Sequence, residues 1–380
     1  MKKQHIASLT GIRFFLALWV LLFHTCDVWR DYPFIYALLG KGYIAVSAFF
    51  VLSGFILVYN YESLNTDSRS IKMFFLSRLI RLYPMYLLSI ILALPLFVYY
   101  EYRTSIGYIA VVFITTVTTF LGIQAWYKPL LNKLNPPSWS LSVEFFFYSI
   151  FPFLNKALRS LSKSKLILLI AISFLISFVL MKDIVNSINS TKFINQFIQT
   201  GAFPPLHIFT FITGMCFGYL YYVHGAPFFR NYSDIISFSL ILFFVFSLVY
   251  NWFSFVDINN GGYAIFFSIF FISISHPGSI IGKLLSNRFI VLLGESSYSF
   301  YILHLVVYAY LKHVAEKIFG YTDFESFSFL FFYLLITVTI SVLSFLKIEK
   351  KLTIYFRKKF FKPFNAAVSQ QIPTYKYAKP

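Results

Sequence analysis

Apolar residues run along this chain in eleven stretches, at about 12–28, 43–60, 83–100, 105–123, 139–158, 166–181, 206–223, 235–251, 262–276, 296–312 and 327–346. At ~1.5 Å of rise per helical residue, most of them cover, or nearly cover, the ~30 Å of hydrocarbon in a bilayer. The pattern predicts an all-α integral membrane protein, a bundle of about ten transmembrane helices plus one re-entrant or interfacial segment. Parity requires that exception. With Lys2 and Lys3 inside, eleven crossings would leave outside a tail holding Lys347, Lys350, Lys351, Arg357, Lys358, Lys359 and Lys362. Such a run belongs on the cytoplasmic side. The run 105–123, rich in threonine (Thr115, Thr116, Thr118, Thr119), is the one expected not to cross. It re-enters, or lies along the outer interface, supported by protein rather than lipid. On this layout 22 Lys and Arg residues fall in cytoplasmic segments and 9 in outer ones, with Arg13 inside a span. The opening apolar run lacks a small-residue cleavage pattern, so it is expected to stay as the first helix. No internal repeat is visible, and an inverted-repeat transporter finds no support.

Composition sharpens the class. Of 380 residues, 58% are hydrophobic and only 12% charged, against roughly 25% charged in a soluble domain. The mean hydropathy is +0.72, more apolar surface than a soluble fold of this size can hide. A secreted disulfide scaffold, a disordered chain and a nucleic-acid binder are excluded. The net charge of +18 sits between apolar runs, not in one stripe. Cys26 and Cys216 both lie in apolar segments and are expected as buried thiols. Residues 1–350 form one membrane domain. Residues 351–380 form a basic cytoplasmic tail suited to the anionic inner leaflet.

Ionisable groups inside spans are costly and usually functional. Arg13 and His24 share the first run, 11 residues apart. At about 100° per residue their offset is only about 20°, so they occupy one helix face with roughly 16 Å between them. Either this face lines a site, or Arg13 snorkels to the headgroups and His24 makes a buried hydrogen bond. Asp27 follows three residues later. It either orients the imidazole, as a carboxylate does in a triad, or sits in the outer headgroup layer. Arg78 and Arg81 place two guanidiniums on one face at a cytoplasmic helix start. They suit a polyanionic phosphate, or simply hold the loop inside. In "NPPSWSLSVEFFFYSIFPF", Trp139, Glu144 and Tyr148 stand out. Glu144 is a general acid or base, a sugar-hydroxyl acceptor, or the counter-ion of an arginine. In "LGESSYSFYILHLVV", Ser299, Tyr301 and His304 read first as interhelical hydrogen-bonding groups. Ser53 and Gly54 sit in "FFVLSGF" without a hydrolase context, and Gly54 is expected to allow close helix approach. His207, His224 and His276 carry no assignment. No metal motif, Walker loop or dinucleotide fingerprint is present.

Taken together, several segments resemble the acyltransferase-three family of integral membrane acyltransferases. "LTGIRFFLALWVLLFH" matches its opening, an Arg and a His with ten residues between them, here Arg13 and His24. "SAFFVLSGFIL", "RLIRLYP", "PSWSLSVEFFFYSIFPFL", "FITGMCFGYL" and "LGESSYSFYILHLVV" match later landmarks in order. One departure is the Phe after Glu144, where the family often has an acidic or polar residue. The resemblance covers residues 9–346. It implies an enzyme that takes an acyl group, usually acetyl, from cytoplasmic acyl-CoA and delivers it to a sugar hydroxyl. The acceptor is often a cell-envelope polysaccharide or its lipid-linked precursor. No permanently bound cofactor and no metal are implied. The bacterial inner membrane is the expected location, with both termini cytoplasmic. Some members carry an added extracytoplasmic hydrolase-like domain, and none is expected here. Arg78 and Arg81 would hold the donor phosphates, Arg13 would line the channel, and His24 would act as base or be acylated itself. Arg13, Tyr301 or Ser299 would stabilise the oxyanion. Outer residues Trp126, Tyr127 and 186–191 offer stacking and hydrogen bonds to carbohydrate.

Three rivals remain open. A transporter or channel would use Arg13, His24 and Glu144 as its pathway. An enzyme of the same kind could acylate a small molecule such as an antibiotic. A non-catalytic envelope-assembly subunit would not need the Arg13–His24 pair.

Overall fold

The computed structural model describes residues 5–104, 107–177, 181–195, 198, 201–223, 227–252 and 261–361. Every regular element among them is helical. In order these are α1 (Ala7–His24), α2 (Pro33–Leu39), α3 (Ile44–Tyr61), α4 (Ser68–Thr104), α5 (Tyr108–Phe120), α6 (Trp139–Arg159), α7 (Lys163–Leu175), α8 (Met181–Ser190), α9 (Lys192–Asn195) and α10 (Ile208–Tyr222). The second half adds α11 (Pro227–Val249), α12 (Ala264–Ser275), α13 (Ile280–Leu285), α14 (Arg288–Glu295), α15 (Ser297–Phe319), α16 (Phe327–Ser344) and α17 (Lys350–Phe361). A π-helical turn, Phe345–Glu349, joins the last two. Among the described residues five stretches are long and apolar enough to cross a membrane: Ala7–His24, Pro33–Tyr61, Ser68–Arg103, Tyr232–Val249 and Phe327–Phe361. The pair α14 and α15, bent by 59°, makes a sixth if it is one span. The described residues are all-helical, and the chain is a multi-pass membrane protein. The number of helices qualifying by length and composition alone is smaller than the ten expected, because several are short or carry charge. α12 has 12 residues and α10 15, and α6 holds Glu144, Lys156 and Arg159.

Small residues set the tightest contacts, as expected where lipid removes the hydrophobic drive between helices. A Cβ on Gly54 of α3 would lie 2.3 Å from the Phe211 carbonyl oxygen of α10. One on Gly214 of α10 would lie 2.1 Å from the Val51 oxygen. The close approach expected at Gly54 is therefore present. α1 makes a similar seam, with Gly11 against the backbone of Leu285 and Gly294 against that of Thr10.

Hydrogen bonds and ion pairs tie helix ends together at two levels. At one, Asn155 of α6 donates to the carbonyls of Tyr61 and Glu62 and accepts from the Tyr219 hydroxyl of α10. At the other, Lys133 pairs with Glu101 at 2.8 Å, and Arg30 lies 3.7 Å from Glu325.

The threonine-rich run forms α5, whose 13 residues reach only about 20 Å. It ends in a hydrogen-bonded cap: the Ile123 N–H donates to Thr118 O and the Gly122 N–H to Thr119 O. Gly122 has a φ of +69°, which favours glycine. The last carbonyls of α5 receive the hydroxyls of Tyr83 and Tyr86 from α4, so protein supplies the partners that lipid cannot. The connection onward is held by buried side chains. Gln124 donates to Ser138 O at 2.8 Å and accepts from Ser142. Asn135 donates to Ser89 and to Ile302 O, both at 3.1 Å. Trp126 and Tyr127 are exposed.

Of the expected basic tail, the first part is the helix α17. Thr353 is buried and its hydroxyl donates to Ile80 O of α4 at 3.4 Å. Residues 362–380, and His224, lie outside the described residues. Cys216 is fully buried, whereas Cys26 is partly exposed.

Candidate active site

Polar side chains gather in two clusters that α1 and α15 both reach. The first surrounds His24, the last residue of α1. His24 is exposed, and its ring centroid lies 5.3 Å from that of His304 at 36°. His304 is fully buried. Its Nδ1 lies 2.6 Å from the Tyr301 carbonyl oxygen. A carbonyl only accepts, so the proton sits on Nδ1 and the lone pair of the neutral ring on Nε2. The Tyr301 hydroxyl donates to Pro137 O at 3.2 Å, and its ring packs 6.1 Å from Phe49. The Tyr333 hydroxyl donates to the His304 carbonyl at 3.0 Å. Trp139 sits near this cluster between Phe50 and His207, with ring centroids 6.1 and 5.8 Å away.

Asp27 does not join it. Helix α1 ends at His24, and the 3-10 turn Cys26–Trp29 swings Asp27 off the helix face. There it accepts from Arg30 Nη2 at 2.8 Å, at an exposed position.

The second cluster is ionic. Ser53 Oγ of α3 donates to Glu144 Oε2 of α6 at 3.0 Å, and the buried Tyr148 hydroxyl also bonds that carboxylate. The guanidiniums whose fields reach Glu144 are Arg78 and Arg13. Arg78 is 3% exposed and donates to the Tyr61 hydroxyl at 2.5 Å, beside Ser77. Arg81, one turn on, is only half-buried. The paired arginines thus divide: one is an internal cation, the other stands nearer the surface. A second carboxylate completes the cluster. Glu349, 6% exposed in the π-helical turn, accepts from Ser299 Oγ at 2.7 Å. The fields of Arg81 and Arg13 reach it as well.

Ser299 and His304 therefore belong to different clusters, although both lie on α15. Glu349 is the member that sequence reasoning missed. Its neighbours Lys347, Lys350 and Lys351 make it look like part of a solvated charge run. His207 was also left unassigned; it is 1% exposed. Outside the membrane segments, His5 accepts from or donates to Thr10 at 2.9 Å. Burial pushes its imidazole below the ordinary histidine range, and repulsion from Arg81 and Arg13 adds to this. Among the described residues no three His, Cys, Asp or Glu side chains converge to hold a metal.

Chemically, the first cluster offers an accessible imidazole next to a fixed one. The second sets three guanidiniums, Arg13, Arg78 and Arg81, against two buried carboxylates.

Comparison with known proteins agrees with this architecture. The chain is 33% identical over 168 residues to "Acyltransferase MdmB" of Streptomyces mycarofaciens, a match covering 42% of each chain. It is 25% identical over 402 residues to "O-acetyltransferase OatA" of Staphylococcus aureus, a match covering 95% of this chain and 58% of that protein. The chain thus covers about half the length of these relatives. No solved structure matches it. A family profile described as "Acyltransferase domain" matches residues 6–346, nearly the whole described chain, and the chain belongs to that family.

Proposed function

We propose that this protein is a membrane O-acyltransferase. It moves an acyl group, acetyl in the simplest case, from cytoplasmic acyl-CoA to a hydroxyl of a cell-envelope polysaccharide or its lipid-linked precursor. The observation that carries the reading is the construction of α1. One helix face bears an exposed imidazole beside a second imidazole, and a guanidinium about 16 Å away along the helix among Glu144, Glu349 and the α4 arginines. Donor and acceptor can be handled at separate points of one path. The relative named as an O-acetyltransferase, matched along 95% of this chain, supports the acetyl group.

The donor's phosphates are held at the cytoplasmic mouth by Arg81, the less buried of the paired arginines. Arg78 acts from inside as the counter-ion of Glu144. Arg13 meets the donor's arm, because about 16 Å of helix separates it from the reacting centre. His24 takes the proton of the acceptor hydroxyl as that oxygen attacks the thioester carbonyl. The C–S bond then breaks, and the leaving thiolate recovers the proton from the imidazolium. Thioester-to-ester transfer runs near thermoneutral or downhill, so the step requires no ATP.

Ten crossings are proposed: α1, α3, α4, α6, α7, α10, α11, α12, α15 and α16, with α5 entering from the outer side and returning without crossing. The two levels of helix-end contacts support this count, as do the capped end of α5 and the buried start of α6. Both termini lie in the cytoplasm of a bacterium, the chain spans its inner membrane, and α17 rests against the inner leaflet.

The test compares cells lacking the protein, cells expressing it and cells expressing His24→Ala. Alkali-labile acetate on the purified surface polysaccharide is read by NMR. Acetate present only with the wild type is the expected result. Equal acetate in all three would overturn the assignment.

A further inference from the structure

His304 has a buried polar atom with no hydrogen-bond partner among the described residues. Its Nε2 is sealed from solvent and unbonded, while Nδ1 is committed to the Tyr301 carbonyl at 2.6 Å. An orphaned buried acceptor costs about 1–3 kcal/mol, and in a native fold it calls for a reason. Turning the ring to relieve it would break the Nδ1 bond to the Tyr301 carbonyl. The backbone around it is held as well: the Tyr333 hydroxyl donates to the His304 carbonyl at 3.0 Å, and the Tyr301 hydroxyl donates to Pro137 O. The neighbouring group that can supply a proton is His24, 5.3 Å away between ring centroids. Two imidazoles joined by an in-line N–H···N bond have centroids roughly 5 Å apart. The observed pair stands at that separation, tilted by 36° and with no bond made in this structure, so a turn of the exposed His24 ring brings its inner N–H onto Nε2.

We propose that His304 is a positioning residue for His24. Its Nε2 accepts the inner N–H of His24, which fixes the tautomer and leaves the outer nitrogen bare for the acceptor hydroxyl. When His24 takes the substrate proton, the imidazolium has two N–H groups, and His304 holds the inner one through the step. A triad assigns this task to a carboxylate. Here a neutral ring does it, which avoids burying a charge. The inference rests on acyl transfer through His24.

Two variants separate the atoms concerned. His304→Asn keeps a donor for the Tyr301 carbonyl and offers nothing where Nε2 was. His304→Gln places an accepting oxygen near that position. Full-length protein in detergent is assayed with radiolabelled acetyl-CoA and envelope polysaccharide from cells lacking the protein. His304→Asn is expected to lower kcat by about 10–100-fold, as loss of a group that orients a functional histidine does, with KM for acetyl-CoA unchanged within about two-fold. His304→Gln should recover most of kcat. Wild-type kcat in His304→Asn would overturn the inference. So would a His304→Gln variant as slow as His304→Asn when both elute as the wild type does. Absence of transfer by the wild type itself would instead remove the acyltransferase reading, and with it this one.

Discussion

Replacing Gly54 by alanine tests the seam that carries Ser53. The new methyl would stand 2.3 Å from Phe211 O, 2.9 Å from Met215 N and 3.2 Å from Gly214 C, all backbone atoms of α10. An ordinary carbon–oxygen contact is about 3.3 Å, so the two helices must part by about 1 Å. No flexible side chain can yield instead. Overpacking of this kind costs typically ~1–3 kcal/mol. Against it stands the gain in helix propensity from Gly to Ala, about 1 kcal/mol. The net expectation is a loss of up to about 2 kcal/mol, read as a fall of as much as a few degrees in Tm. Thermal unfolding of the detergent-solubilised protein measures it. The shift should also reach the site, because Ser53 precedes Gly54 and bonds Glu144 at 3.0 Å. Acyl transfer should therefore drop further than stability alone requires. Gly320→Ala is the control: nothing lies within 4 Å of its Cβ, and only a φ of +62° opposes it. A Gly54→Ala protein as stable and as active as the wild type would refute the close approach of α3 and α10.

Other outcomes follow from the same geometry. Ser299→Ala leaves the Glu349 carboxyl, 6% exposed, without its 2.7 Å partner; a loss of about 1–3 kcal/mol is expected in thermal unfolding. Arg78→Ala should lower the yield of folded protein, because it strips an internal cation from Tyr61 and Glu144, whereas Arg81→Ala should keep the yield and raise KM for acyl-CoA. Gly122→Ala combines a φ of +69° with a Cβ 2.2 Å from the Phe145 ring, so it should destabilise more than Gly107→Ala, where nothing lies within 4 Å. His5 titrates below its ordinary value through burial and then through Arg81 and Arg13. Its folded pKa is depressed, so its contribution to stability is present above the unfolded value and lost as pH falls. Donor phosphates seated on Arg81 should raise that pKa toward normal, visible by NMR of labelled histidine, and an unchanged His5 titration at saturating CoA would place the phosphates elsewhere.

Much of this was legible in sequence because helical periodicity is a local property. The single face shared by Arg13 and His24 follows from spacing within one helix, and the close approach at Gly54 from its missing side chain. What spacing cannot supply is the partner. Ser299 and His304 are five residues apart on α15 and meet different clusters, since one faces Glu349 and the other His24. Asp27 looked aligned with His24 only if α1 continued; it stops, and Arg30 takes the carboxylate. Glu349 was illegible for a related reason. Its flanking lysines describe a surface, but the π-helical turn changes the phase of the helix there and coincides with a buried carboxylate.

The paired arginines carry this logic to function. A spacing of three residues places Arg78 and Arg81 about 60° apart, near enough to suggest two forks on one anion. A difference of 60° is also enough to bury one and leave the other half-buried at a helix packed on one side. Arg78 has Tyr61, Phe74 and the field of Glu144 around it, so its charge is already matched inside the protein. Binding a phosphate there would require breaking that match. Arg81 stands closer to the mouth, and its field falls on His5 and Glu349. An incoming polyanion would compete with Glu349 for it, so Glu349→Gln should tighten acyl-CoA binding even as it weakens the packing of α17. If the donor Kd is unchanged in Glu349→Gln while Arg81→Ala still weakens binding, the carboxylate is structural and the competition does not exist.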